Sequence, residues 1–405
     1  MIATSKAKAV LAGASFGALA LVGAPAMAQS VSPPTTPTAP APAPSISDCG
    51  PGVNNCSIVD QSGTGQQATL NQTGNGNISN IEQAVSARTA NVTQSGDFNA
   101  VDIDQIGTYS GGSTGSEANV SQSGTNADAF ILQDGTGIAG FPSSVTVTQT
   151  GDGASAIVRQ FNTRNYGVGV IQNGANSAIV QQDLSGIGGL DSGVGVRQSG
   201  GDGNTALVLQ NSSNSRVGSS NGNGGVTQTG NGNNSEVYQG DFTGQMSTGR
   251  FLNARTDQTG DNNDSIIIQG NDNSGNIRAR LTQTGNDNVS SIVQSGTGGN
   301  NVFNGVQVNV EQVGSRNISR VEYENLAGGA NASGVNVVQS NDDNESLVSL
   351  SAELGVAEIT QSGADNFSDL TQTGVGNSAT VTQGTDGNTS NAIQSGTNNV
   401  INVTQ

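Results

Sequence analysis

Glutamine returns along this chain at a fixed interval. Gln61, Gln72, Gln83, Gln94 and Gln105 are spaced by eleven residues, and so are Gln361, Gln372, Gln383, Gln394 and Gln405. Between these runs the marker continues with insertions, at Gln122, Gln133, Gln149, Gln160, Gln172, Gln182, Gln198, Gln210, Gln228, Gln239, Gln258, Gln269, Gln283, Gln294, Gln312 and Gln339. Tyr323 and Leu350 hold the marker position where the spacing demands a unit, which makes 28 units, 26 of them ending in Gln. A unit this short cannot bury an apolar face alone, so it must stack on its neighbours.

Two positions before the marker stands Val, Ile or Leu in 26 of 28 units, with Thr256 and Ala392 the exceptions. Four positions before it stands a small residue in most units, such as Ser79, Ala118, Ser235 or Ala379. Alternation with period two describes a strand with one buried face, where a helix would need a period of about 3.6. After the marker come Ser or Thr, then Gly, then Asn five places on, as in Gln94-Ser95-Gly96 to Asn99. Gly and Asn accept the positive φ of tight turns. Each unit therefore reads as a turn followed by a strand.

The insertions are not scattered. From Gln94 onward, alternate arcs stay within one residue of eleven, as in 94 to 105 and 228 to 239, while the arcs between them stretch to as much as nineteen, as in 239 to 258. If two strands make one rung, short arcs fall on one edge and variable arcs on the other. The expected fold is all-β: a two-sheet, cross-β-like solenoid of about 28 strands in 14 rungs, with variable loops on one edge. At about 4.8 Å per rung the stack is roughly 67 Å long.

Composition removes much of the usual enzyme chemistry. The chain has no His, so it has neither a Ser-His-Asp triad nor a His-ligated metal. Its formal net charge is -18, which argues against nucleic acid and anionic lipid as partners. Lys6 and Lys8 precede an apolar stretch from Ala9 to Val22 that ends in Ala26-Met27-Ala28. Residues 1–28 therefore read as a signal peptide cut before Gln29. Residues 29–55 read as a proline-rich disordered leader, since Pro33 to Pro44 holds six prolines. Residues 56–405 read as the repeat solenoid, and no later segment reads as a stable membrane insertion.

Stacking places like on like, and side-chain amides both donate and accept, so buried Gln and Asn can satisfy one another along a stack. The expected structural ladder comprises the ten regularly spaced glutamines together with Gln228, Gln239, Gln258, Gln269, Gln283 and Gln294. It also includes Asn77, Asn99, Asn233, Asn263, Asn288, Asn366, Asn377, Asn388 and Asn399. No catalytic, cofactor-binding or metal-binding residue is expected.

The unit Gln-x-Gly-x-x-Asn-x-Ala/Ser-x-Val-x-Gln resembles the curlin repeat of the subunits of bacterial curli fibres. Some units also carry Ser six places before the marker, at Ser116, Ser143, Ser192 and Ser333. The resemblance covers about Cys56 to Gln405. It implies an exported subunit of a functional amyloid, carried through the periplasm and an outer-membrane secretion channel. A nucleator subunit would start its self-assembly into extracellular fibres for adhesion and biofilm matrix, with no cofactor and no catalysis. The chain has many more repeats than a typical curlin subunit, with insertions and a leader. The alternative is a monomeric β-solenoid adhesin at the cell surface, binding glycans or surfaces through its long-loop edge.

Other features have plainer readings. Cys49 and Cys56 enclose six residues; in an exported protein they pair and pin the first strand to the leader, or they stay two free thiols. Gly151-Asp152-Gly153 and Asn341-Asp342-Asp343-Asn344 read as solvated turns rather than calcium sites. An outward Thr row, including Thr93, Thr148 and Thr382, is broken by Arg197, Asp257 and Glu311, against a flat ice-binding array. Glu322 and Glu324 flank Tyr323 as strand surface charge. Tyr109, Phe141, Phe242, Phe251 and Phe303 fall on the long-loop edge. The last strand, Asn399 to Gln405, carries no charged side chain and reads as an uncapped edge.

Overall fold

The computed structural model describes residues 55–84, 87–107, 115–135, 143–161, 167–183, 193–211, 215–217, 225–240, 252–270, 277–296, 307–325 and 334–405. Except around one split strand, successive strands alternate between two parallel sheets and each pairs with the next-but-one along the chain. The first sheet has 14 strands, opening with Asn55–Gln61, Asn77–Gln83 and Ala100–Ile106 and closing with Phe367–Val375 and Thr389–Thr397. The second opens with Gln67–Gln72 and Thr89–Gln94 and closes with Ser378–Gln383 and Val400–Thr404. One strand from each sheet makes a rung, and the described residues form a β-solenoid of 14 rungs.

Register follows the marker. Gln61 lies beside Gln83 and Gln83 beside Gln105 in the first sheet, while Gln72 lies beside Gln94 in the second. Tyr323 sits between Gln294 and Leu350, and Leu350 sits beside Gln372. A slip of one residue would turn every inward side chain to solvent, so the alternation holds this register firmly. Inward rows of Ser or Ala, then Val, Ile or Leu, then Gln fill a thin interior between the sheets. Ile81, Val92, Ile103, Val237, Ile292 and Val381 are all fully buried there.

Short arcs lie on one edge of the stack and long arcs on the other, as the alternation of spacing requires. One insertion departs from that rule. At the seventh rung of the second sheet, Ser215–Val217 and Val226–Thr229 share a single level. Val217 pairs with Val194 and Val226 with Val196, so two short strands replace one. There are thus 29 strands in 28 positions, because the insertion opens the strand itself instead of lengthening an edge loop.

The short-arc turns also stack closely. Their backbone bonds run from rung to rung, as from Ser95 N–H to Gln122 O at 2.8 Å and from Asn126 N–H to Asp97 O at 3.0 Å. Gly124 has no positive φ, yet a Cβ there would lie 2.1 Å from Gly151 O. Glycine at this place answers to the spacing of the turns, not to a left-handed backbone. The left-handed position two residues later is taken by Asn126, with φ 55°.

Candidate functional site

The inward glutamines form two hydrogen-bonded columns. In the second sheet Gln72 donates from Nε2 to Gln94 Oε1, and every consecutive pair down to Gln405 is joined the same way, at 2.8–3.0 Å. In the first sheet the column runs from Gln61 through Gln83, Gln105, Gln239 and Gln269 to Gln294, at 2.6–2.9 Å. Tyr323 and Leu350 interrupt it, and it resumes with Gln372 donating to Gln394 at 2.7 Å. Gln372 Oε1 is consequently a buried acceptor with no donor, because the residue that would supply one is Leu350.

Each amide has a second proton, and in many of them it ties the sheets together. Gln83 donates to Gln67 O at 3.2 Å, Gln283 to Asp264 O at 3.0 Å and Gln361 to Glu345 O at 3.0 Å. One proton thus runs along the stack and one across it, which suits a primary amide with two donors. Both columns have one polarity, since each bond is donated toward the higher-numbered rung. The first rung offers Gln61 and Gln72 as acceptors, and the last offers Gln394 and Gln405 as donors. Gln394 and Gln405 already donate across the stack, to Ser378 O at 2.9 Å and Thr389 O at 3.1 Å.

Asparagines close the short-arc edge. Asn77, Asn99, Asn233, Asn263, Asn288, Asn366 and Asn388 line it, whereas Asn377 and Asn399 stand on the opposite edge. Asn233 Oδ1 accepts the Asn263 N–H at 3.0 Å, and its Nδ2 reaches Gly260 O at 2.7 Å. Asn399 N–H reaches Asn377 Oδ1 at 2.9 Å in the same manner. Asn176, Asn204, Asn317 and Asn344 belong to the short-arc row too, buried and bonded alike. Asn176 and Asn204 fall four and six places after their markers and escape a fixed count of five. Counting six back from the following marker finds them all.

The acidic turns bind backbone. Asp152 Oδ1 accepts Thr125 N–H at 2.8 Å and Asp342 Oδ1 accepts Ser315 N–H at 2.7 Å. The Thr125 hydrogen bonds hold the Asp152 carboxyl below the usual carboxylate range. Among the described residues no group of three or more His, Cys, Asp or Glu could hold a metal ion. Glu322 pairs with Arg320 on its own strand, and Tyr323 between Glu322 and Glu324 is buried.

Cys56 is disulfide-bonded; Cys49, the other cysteine of the chain, lies outside the described residues. So do residues 1–28, residues 29–54 and Tyr109, Phe141, Phe242, Phe251 and Phe303. No helix of the described residues is long and apolar enough to cross a membrane.

The terminal rungs have a strand partner on one side only among the described residues. There the outward side chains Ile393 and Val400 are 71% and 68% exposed. Residues 356–384 match the family model described as the curlin associated repeat. That segment holds the strands Val356–Gln361, Phe367–Val375 and Ser378–Gln383, with the markers Gln361, Gln372 and Gln383. No curated protein matches the chain.

Proposed function

We propose that this curlin-repeat protein is a secreted structural subunit that assembles with copies of itself into extracellular, curli-like amyloid fibres for cell adhesion and biofilm matrix. The observation that carries this reading is the common polarity of the two glutamine columns. If the last rung of one copy meets the first rung of another, Gln405 donates to Gln72 and Gln394 to Gln61. Both columns then continue across the junction with no change of sense. Tail against tail would set donor against donor. The same junction pairs the strand edges that have no partner among the described residues, and an unpaired edge is a hazard in a lone solenoid.

Residues 1–28 serve as the export signal and 29–55 as the leader. The partners are other copies, a nucleator subunit and an outer-membrane secretion channel reached through the periplasm. The work is mechanical and involves no catalysis. The test uses purified protein followed by thioflavin fluorescence and electron microscopy, beside a variant extended after Gln405 by a charged, proline-containing cap. Seeded fibres from the parent and arrested elongation of the folded, capped variant are expected. A parent that stays monomeric at high concentration overturns the reading in favour of a monomeric adhesin. A capped variant that polymerises like the parent overturns head-to-tail stacking.

A further inference from the structure

The two outward faces carry unlike charge at different heights. On the first sheet Asp60, Glu82 and Asp104 stand in register on rungs one to three. Asp60 and Glu82 are exposed and Asp104 is half-buried. Asp102 shares that face; one of its oxygens accepts Asn80 Nδ2 at 2.9 Å, and the other is buried with no donor. No basic side chain stands outward on these three strands. Arg88, on the adjoining edge, is buried and sits near Asp134. Like charges directly opposite one another on neighbouring strands are destabilising. The nearest outward cation in that row is Arg159, two rungs beyond Asp104.

The second sheet carries the reverse. Arg255 and Arg280 are in register on rungs eight and nine, and Arg278 stands beside Arg280 on the same outward face. The Arg255 and Arg280 side chains are 45% and 58% exposed. Among the described residues Asp257 pairs with them, 2.6 Å from Arg255 and 3.9 Å from Arg280, and Glu311 stands exposed on the next rung beside Thr282. In a chain with 13 Lys and Arg against 31 Asp and Glu, three arginines against Asp257 and Glu311 mark a local excess of positive charge. The centres of the two patches lie about six and a half rungs apart, or roughly 31 Å of a stack of roughly 67 Å.

We propose that the acidic face of rungs one to three docks on the arginine face of rungs eight and nine of a second copy, lying alongside, running the same way and displaced by about half a stack. The contact rests on the fibre reading and adds to it a lateral surface. Face-to-face sheets pack about 10 Å apart, a gap that Arg and Glu side chains span. Half displacement sets the middle of one copy against the end-to-end junction of its neighbours, as in brickwork. A second copy is the occupant because the same chain carries both complements.

Salt separates this contact from end-on growth. The net charge of -18 opposes every association, and about 0.1 M salt screens it beyond about 10 Å. Contact pairs persist at that ionic strength and weaken near 1 M, where the screening length is about 3 Å. Filament pairing should therefore peak near about 0.1 M salt and fall at about 0.01 M and about 1 M, while elongation only quickens with salt.

The test compares the parent with Asp60→Lys/Glu82→Lys, with Arg255→Glu/Arg280→Glu, and with all four changes together. Filament width by electron microscopy reads the lateral contact, and seeded growth reads the ends. Each double variant should give single filaments, the arginine variant with growth within about twofold of the parent, and the fourfold variant should restore pairs. Pairs that persist in both double variants, or a fourfold variant that does not restore them, overturn the proposal. If the parent makes no filaments, sedimentation of the two double variants mixed together still decides. A mixed dimer that neither forms alone upholds the lateral contact while the fibre reading falls; no dimer sinks the lateral contact as well.

Discussion

Gln283→Leu isolates what an amide contributes inside a column. Gln283 is fully buried, accepts from Gln258 at 2.9 Å, and donates to Gln312 Oε1 at 2.9 Å and to Asp264 O at 3.0 Å. Leucine is of similar size, so packing changes little. Gln312 Oε1 then loses its donor, at a cost of about 1–3 kcal/mol for a buried orphan, and the lost bonds add about 0.5–1.5 kcal/mol each. Burying an aliphatic side chain returns about 1.5–3 kcal/mol. The expected net loss is about 1–4 kcal/mol. The reverse change, Leu350→Gln, surrenders aliphatic burial but supplies the donor that Gln372 Oε1 lacks. Its gains and losses are of the same size, so stability should stay within about 1 kcal/mol of the parent. Urea unfolding of the monomer gives both differences, and hydrogen exchange in the adjoining strands shows whether the change is local. If Gln283→Leu unfolds like the parent, or Leu350→Gln loses more than about 2 kcal/mol, the columns are not held by satisfied amides.

Two further predictions use the faces of the sheets. Val237→Asp puts an unpaired charge between the sheets and should lower the urea midpoint far more than Thr227→Asp, which points outward; equal shifts would refute the inward assignment. Burial first, then the Asp102 and Glu82 charges, push the Asp104 carboxyl up to about 6, so the folded state holds a proton that the unfolded chain has lost. Stability should therefore rise as pH falls from about 6 to about 4, by about 1–2 kcal/mol after solvent screening, and be lost as pH rises through about 6. Burial raises the Asp102, Asp128 and Asp264 carboxyls in the same sense. Asp104→Asn should flatten the slope in urea titrations across that window, and an unchanged slope would refute the assignment.

Most of the architecture was legible because it is written with two periods at once. Period two sorts inward from outward, and the alternation of short and long arcs sorts strands into sheets. The split rung escaped because spacing alone cannot tell an insertion inside a strand from one at an edge. The interval from Gln210 to Gln228 resembles that from Gln239 to Gln258. A signal was present, since the position four before Gln228 holds Gly224 where other units have a small or aliphatic residue with a Cβ. Val217 fills that level instead, beside Val194.

Polarity was the part that no spacing could carry. Tyr323 and Leu350 look from the sequence like equal gaps in a row of glutamines. In the structure the gap has two unlike sides. Above it, Gln294 still donates across the stack to Arg278 O at 3.2 Å and still accepts from Gln269 at 2.8 Å. Below it, Gln372 keeps both of its donations, to Val356 O and Gln394, and loses only its donor. Because every bond in the column points one way, the acceptor left without a donor falls on the higher-numbered side. The same asymmetry gives the two ends of the stack different chemistry, acceptors at one and donors at the other. A repeat of identical amides thereby acquires a direction that its residue types alone do not have.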